Sequence, residues 1–270
     1  MKKSAKIIAV TSGKGGVGKS VLSANMANIL SYYNYSVLIV DLSLALANLD
    51  IIFHVKPKLN LLDFLKNSTP IEDLRVDIKD NLSLIAGVSS DEILSYPPQF
   101  IIAQILKSKE LMNGYDYIIF DLSSGISLQT QNMIEFADEV IVIIEPTPTS
   151  ITDAYATLKI ANRLQKSVSV ILNRTDSTHE GNLIFSKINK VASDNLDFLK
   201  NITYLGSITK SKKIEKASKY RYLFTDTYIN SQASFELNKI IKNLVFKLEH
   251  ILLEKKRRKS LLNLLRSLIE

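Results

Sequence analysis

Apolar residues fall along this chain in short blocks, separated by stretches with helical spacing. "KIIAV", "YDYIIF", "EVIVIIE" and "VSVILN" are almost continuously apolar, the pattern of strands buried on both faces of a parallel sheet. Strands are expected at 6–11, 37–41, 82–86, 116–121, 139–144, 168–173 and 202–207. Between them the spacing predicts helices near 19–32, 98–112, 128–137, 150–164, 182–199 and 231–248. This alternation predicts an α/β fold: a doubly wound, mostly parallel sheet of about seven strands flanked by helices. Ligands of such sheets sit beyond the carboxyl ends of the strands. Those ends carry the segment 13–20, Asp41, Asp121, Glu145 and Asn173.

Composition narrows the picture. The chain has 270 residues, 46% of them hydrophobic, enough for one large core. No repeat or low-complexity linker divides it, and "VKPKLNLLDFLKNSTP" and "YPPQF" read as connections inside one domain. No apolar run reaches the roughly 18 residues that span a bilayer. The basic start runs into a first strand interrupted downstream by Gly and Lys, so a cytoplasmic chain without a signal peptide is expected. Without Cys there is no thiolate chemistry. His54, His179 and His250 are scattered, with no metal-ligand spacing. The segment 251–270 holds six Lys or Arg against two Glu, more than half of the net charge of +7. The high pI is therefore no argument for nucleic acid, and none is expected.

"GKGGVGKS", Gly13 to Ser20, follows the apolar "KIIAVTS" and precedes the helical "VLSANMANIL". It fits a phosphate-binding loop: Gly, four residues, then Gly-Lys-Ser. Gly13, Gly15, Gly16 and Gly18 let the backbone, with Val17, wrap phosphate, and the next helix, from Val21, points its positive end at the anion. Lys19 is expected on the outer phosphates and Ser20 on Mg²⁺. Lys14 is a second lysine that cradling does not require. It is either a solvated side chain or a cation meeting phosphate from another direction. Asp121 ends an apolar strand and can hold Mg²⁺, and Gly125, four residues on, lets backbone approach the γ-phosphate.

These residues resemble the MinD/ParA family of deviant phosphate-loop ATPases, whose signature is Lys-Gly-Gly-x-Gly-Lys-Ser/Thr. The resemblance spans essentially the whole chain, through "DLSLALANLD", "YIIFDLSSGIS", "PTPTSITDAYATLK" and "YINSQAS", which has Ile229 where Pro is usual. "SITDAYATLK" and "LIAGVSS" look most like the flagellar-number regulator branch that includes FlhG, FleN and YlxH. The family implies ATP, ADP and Mg²⁺ as ligands and a homodimer closed across ATP, in which Lys14 looks toward the partner's nucleotide. It implies Asn173, followed by Arg174, at the adenine, and Asp41 in the Mg²⁺ and water network. A flagellar assembly or regulatory protein, such as a signal-recognition-particle-type GTPase, is the implied partner. Flagellar members often carry an N-terminal extension that activates that GTPase, whereas this chain begins almost at its first strand, so such stimulation is not expected. A division-site MinD role and a DNA-associated partition role remain as alternatives.

One departure bears on catalysis. Two residues after Asp41 the family places the carboxylate that positions attacking water, and here Ser43 stands there. A hydroxyl is a poor proton acceptor, so ATP binding with slow hydrolysis is expected, through Lys14, Lys19, Asp41 and Ser43. A chain that binds without turnover is a second reading, and a third leaves Ser43 as a turn residue while another group orients water. Glu145, Pro146 and Thr147 also replace the usual Thr-Pro-Glu wording.

After an ATPase domain over 1–250, the segment 251–270 reads as a basic amphipathic foot. Lys255, Lys256, Arg257 and Arg258 precede Leu261, Leu262, Leu264, Leu265, Leu268 and Ile269, which form one apolar stripe at helical spacing. Such a helix can lie on an anionic membrane surface. The plain alternative is a last helix docked on protein. A place at the inner face of the cytoplasmic membrane is expected.

Overall fold

The computed structural model describes residues 4–43, 46–67, 69–197 and 202–267, with the side chains of Pro98 and of 251–267 outside that description. Strands β1 (Lys6–Thr11), β2 (Val37–Leu42), β3 (Arg75–Lys79), β4 (Leu82–Ile85), β5 (Tyr117–Leu122), β6 (Glu139–Ile144), β7 (Val168–Thr175) and β8 (Thr203–Thr209) form one sheet. Its order is β3-β4-β2-β5-β1-β6-β7-β8. All pairs are parallel except β3 with β4. The helices are α1 (Lys19–Tyr32), α2 (Leu49–Phe53), α3 (Leu61–Asn67), α4 (Pro98–Lys107), α5 (Lys109–Gly114), α6 (Leu128–Ile134), α7 (Pro148–Arg163), α8 (Thr178–Asn195), α9 (Lys212–Tyr220), α10 (Phe224–Thr227) and α11 (Gln232–Ser267).

The continuous apolar runs are buried on both faces because each side of the sheet is covered. Ile7, Ala9, Leu38, Val40, Ile118 and Phe120 face one core. Their neighbours Ile8, Val10, Val37, Ile39 and Ile119 face the other, shared with α1 and α11. Residues one apart in a strand point to opposite faces, so runs of this kind are what a two-sided core demands.

The seven expected strands are present, and an eighth was not expected. β3 is an antiparallel edge strand in which exposed Arg75 and Asp77 alternate with partly covered Val76 and Ile78. Two apolar residues between charges make too weak a period-two signal. The helix expected at 98–112 is two helices, because the Ser108 hydroxyl accepts from Leu111 N–H and starts α5 afresh. The helix expected at 182–199 begins earlier, at Thr178 behind the Ser177 cap, and ends at Asn195, while 198–199 lie outside the described residues. The helix expected to end at 248 continues as α11 to Ser267, so the backbone has no break at the 250/251 boundary.

Candidate nucleotide site

The carboxyl ends of β1, β2, β5, β6 and β7 converge on one side of the sheet. The loop from β1 to α1 turns through Gly16 and Gly18, with φ of 81° and 88°, a region L side chains rarely enter. Two contacts pin this loop. A Cβ on Gly18 would lie 2.6 Å from Asn173 Nδ2, and one on Gly13 would lie 2.2 Å from the Asp153 carbonyl carbon in α7. Asn173 Nδ2 donates to the Val17 carbonyl at 2.7 Å. Arg174 donates to the Gly16 carbonyl at 3.0 Å and to Glu145. The two residues expected at the base thus also hold the loop's outer wall.

Lys19 Nζ donates to Asp121 Oδ1 at 2.9 Å, with both groups buried. The same ammonium lies 3.5 Å from the hydroxyls of Ser20 and Ser43. Ser23 donates to the same Asp121 oxygen at 2.8 Å, and Asp121 Oδ2 is buried without a partner. Ser43 Oγ is 3.4 Å from the Leu122 carbonyl and 3.5 Å from that of Asp121. Gly125, with φ of 90°, donates its N–H to the Ser12 carbonyl at 2.8 Å. Lys14 Nζ reaches Thr149 Oγ1 of its own α7 at 3.2 Å.

Asp41 also has a task that was not expected. Its Oδ1 accepts from Ser43 N–H at 3.0 Å, and its Oδ2 from Asn48 and Leu49 N–H at 2.8 and 2.9 Å. It therefore caps the start of α2 and fixes the loop that carries Ser43. Burial, then the neighbouring Asp121, push its carboxyl up to about 6, against the pull of the three amides. Those amides take three of its acceptor positions.

A cavity of about 690 Å³ opens over these groups, lined by Lys19, Ser20, Ser43, Asn48, Ser124 and Arg174 among others. A second of about 330 Å³ adjoins it, lined by Asn173, Thr209, Ile214 and Glu215, and both share Gly18, Val21, Arg174 and Ser218. No group of three or more His, Cys, Asp or Glu among the described residues could hold a metal by itself. Mg²⁺ commonly takes one or two carboxylates and completes its shell with phosphate oxygens and water. The unpartnered Asp121 oxygen and the Ser20 hydroxyl fit that role. Ser23 and Thr149 were not singled out from sequence, and Glu145 was named only for its strand end and as a departure from a motif. Only Ser23 carried a signal, four residues beyond Lys19 and so on the same helical face.

Residues 5–175 match a family described as an AAA domain, a span that takes in β1 through β7. The flagellum site-determining protein YlxH of Helicobacter pylori is 36% identical over 245 residues, 90% of this chain and 83% of that protein. The chain belongs to the MinD/ParA family of ATPases. Another member, the antiactivator FleN of Pseudomonas aeruginosa, is 28% identical over 242 residues, covering 88% and 86% of the two chains. The septum site-determining protein MinD of Pyrococcus horikoshii, solved with Mg-ADP, shares the MinD/ParA fold. Its TM-score is 0.73 at 23% identity, over 89% of this chain and 96% of that one.

Proposed function

We propose that this chain is a slow, nucleotide-dependent switch that dimerises across ATP at an anionic membrane surface and regulates flagellar number or placement. One observation carries the slow chemistry: no free carboxylate stands two residues beyond Asp41, where the attacking water would be held, and the one unpartnered oxygen, Asp121 Oδ2, is left to the metal. Asp41 is occupied by three amides, Asp121 by Lys19 and Ser23, and the position two beyond Asp41 is the Ser43 hydroxyl. Lys19 leaves Asp121 to meet the triphosphate, which releases that carboxylate for the metal with Ser20. Bound Mg²⁺ supplies charge neutralisation at the outer phosphates. Ser43 donates or accepts a hydrogen bond to water but takes up no proton, and Asn173 holds the loop while its remaining amide N–H and carbonyl address adenine.

Lys14 lies at the exposed mouth of the site, from where it reaches a second copy's nucleotide. The flagellar role rests on the likeness to YlxH and FleN, and it makes a flagellar regulatory protein, such as a signal-recognition-particle-type GTPase, the partner. The foot at 251–270 joins the ATPase domain through the unbroken α11. Its apolar stripe and basic start suit the inner face of the cytoplasmic membrane. The side chains of Lys255, Lys256, Arg257, Arg258, Leu261, Leu262, Leu264 and Leu265, and all of Leu268 and Ile269, lie outside the described residues. Phosphate release by the purified chain beside Ser43→Asp, with ATP binding checked in both, tests the catalytic part. The variant is expected to be faster by about 10²–10⁴-fold. Rapid turnover by the native chain, unchanged by the substitution, refutes slow hydrolysis through Ser43.

A further inference from the structure

Helix α11 buries Leu237, Ile240, Ile241, Leu244 and Leu248 against the sheet. Its outer face carries Phe235, Lys239, Lys242 and Phe246, all exposed. They fall at i, i+4, i+7 and i+11, one line along the helix about 16 Å long. Phe235 is 59% and Phe246 66% exposed. Alongside, Tyr32 and Tyr33 at the end of α1 and Ile229 before α11 extend the apolar area, with Tyr32 60% and Ile229 62% exposed. A shallow groove of about 330 Å³ runs between these residues and Phe235.

Lysines outnumber acids on this face, which also carries exposed Asp226 and Glu249. Lys239 and Lys242 form no ion pair among the described residues, and Lys79 places its ammonium 3.6 Å from the Tyr32 ring centroid. The nearby acids are engaged: Asp226 accepts from Tyr32 and Asn28, and Glu249 accepts from Tyr35. Exposed aromatic rings interleaved with lysines along a helix lying tangent to a domain match the chemistry of a lipid headgroup boundary. There, rings enter the interface and ammonium groups meet anionic headgroups. A protein partner's groove would instead be expected to offer a deep anchor pocket. The same helix runs on unbroken to Ser267, through the basic stretch 255–259.

We propose that the face made by the end of α1 and the middle of α11 is a second lipid-contact surface, which lays this side of the domain on an anionic bilayer. It rests on the membrane reading of the terminal segment and extends it onto the folded domain. The terminal helix then recruits the chain, and this face fixes its orientation, with α11 parallel to the bilayer and the sheet face it covers turned toward the membrane.

The chain has no Trp, so a single introduced indole reports one position. Full-length Phe246→Trp, Phe235→Trp and Leu264→Trp are mixed with vesicles of phosphatidylcholine and phosphatidylglycerol, with and without brominated acyl chains. All three are expected to shift to the blue and be quenched by bromine. Phe235→Ser with Phe246→Ser should lower vesicle partition by about tenfold or more. Quenching of Leu264→Trp alone overturns this surface and leaves the terminal foot standing. Quenching of none overturns both. A blue shift at position 235 or 246 that follows protein concentration without vesicles assigns the face to a second copy and overturns the lipid assignment.

Discussion

Two buried lysine–carboxylate pairs sit at opposite ends of the same sheet, and their surroundings differ. At the amino ends of β6 and β7, Lys247 donates to Glu139 at 2.7 Å, to Ser169 Oγ at 3.0 Å and to the Val168 carbonyl at 3.2 Å. That ammonium is saturated by near neighbours, and burial still lowers its affinity for the proton. At the carboxyl ends, Lys19 has one close partner, Asp121, and only long contacts of 3.5 Å to two hydroxyls. Both carboxylates keep one buried oxygen without a partner. The first pair is closed and joins α11 to the sheet. The second opens onto a cavity through Lys19.

Breaking the closed pair should give the largest effect. Lys247→Met leaves Glu139 buried without a counter-charge and should cost about 3–5 kcal/mol in denaturant unfolding. Adding Glu139→Leu should recover most of that loss. Lys19→Met should cost clearly less, because Lys19 lines the cavity and water can take its place beside Asp121. Equal costs at the two ends would erase the contrast.

The next largest effect belongs to Asp41, which shares the carboxyl end. Its folded value is raised to about 6 from an ordinary 3.8, so the folded chain holds this proton more tightly than the unfolded chain. The associated stability is fully present below pH 3.8 and is lost as pH climbs through 6. The span corresponds to about 3 kcal/mol. Unfolding free energies across this window, without Mg²⁺ or nucleotide, should show that slope in the native chain and lose it in Asp41→Asn. A parallel slope in both would remove Asp41 as its source.

Smallest is the exposed counterpart of these buried pairs. Arg174 is 53% exposed where it meets Glu145, so Glu145→Gln should change stability by less than about 1 kcal/mol. It should weaken ATP binding instead, since Arg174 then holds Gly16 alone. A calorimetric titration with ATP separates the two effects.

The comparison also shows what the sequence could and could not reveal. The phosphate loop was legible because its chemistry is local: eight consecutive residues between an apolar run and a helix. Asp121 was legible from its place at a strand end. The pairing of Lys19 with Asp121 spans 102 residues, and that of Lys247 with Glu139 spans 108; no periodicity encodes either. Asp41 was placed correctly at the end of its strand, but the amides of Asn48 and Leu49 that claim it depend on how the next loop folds back. β3 escaped because an edge strand with one covered face needs few apolar residues. Thr147 read only as a departure from a motif, yet its hydroxyl caps α7 by accepting from Ser150 N–H.

Gly13 has no room for a methyl group because the first turns of α7 lie directly against it, and the same helix offers Thr149 to Lys14. The start of the phosphate loop and this helix are thus meshed like adjoining gear teeth. Neither side of this contact has slack, so the anion cradle and α7 share one position, set without recourse to the hydrophobic interior.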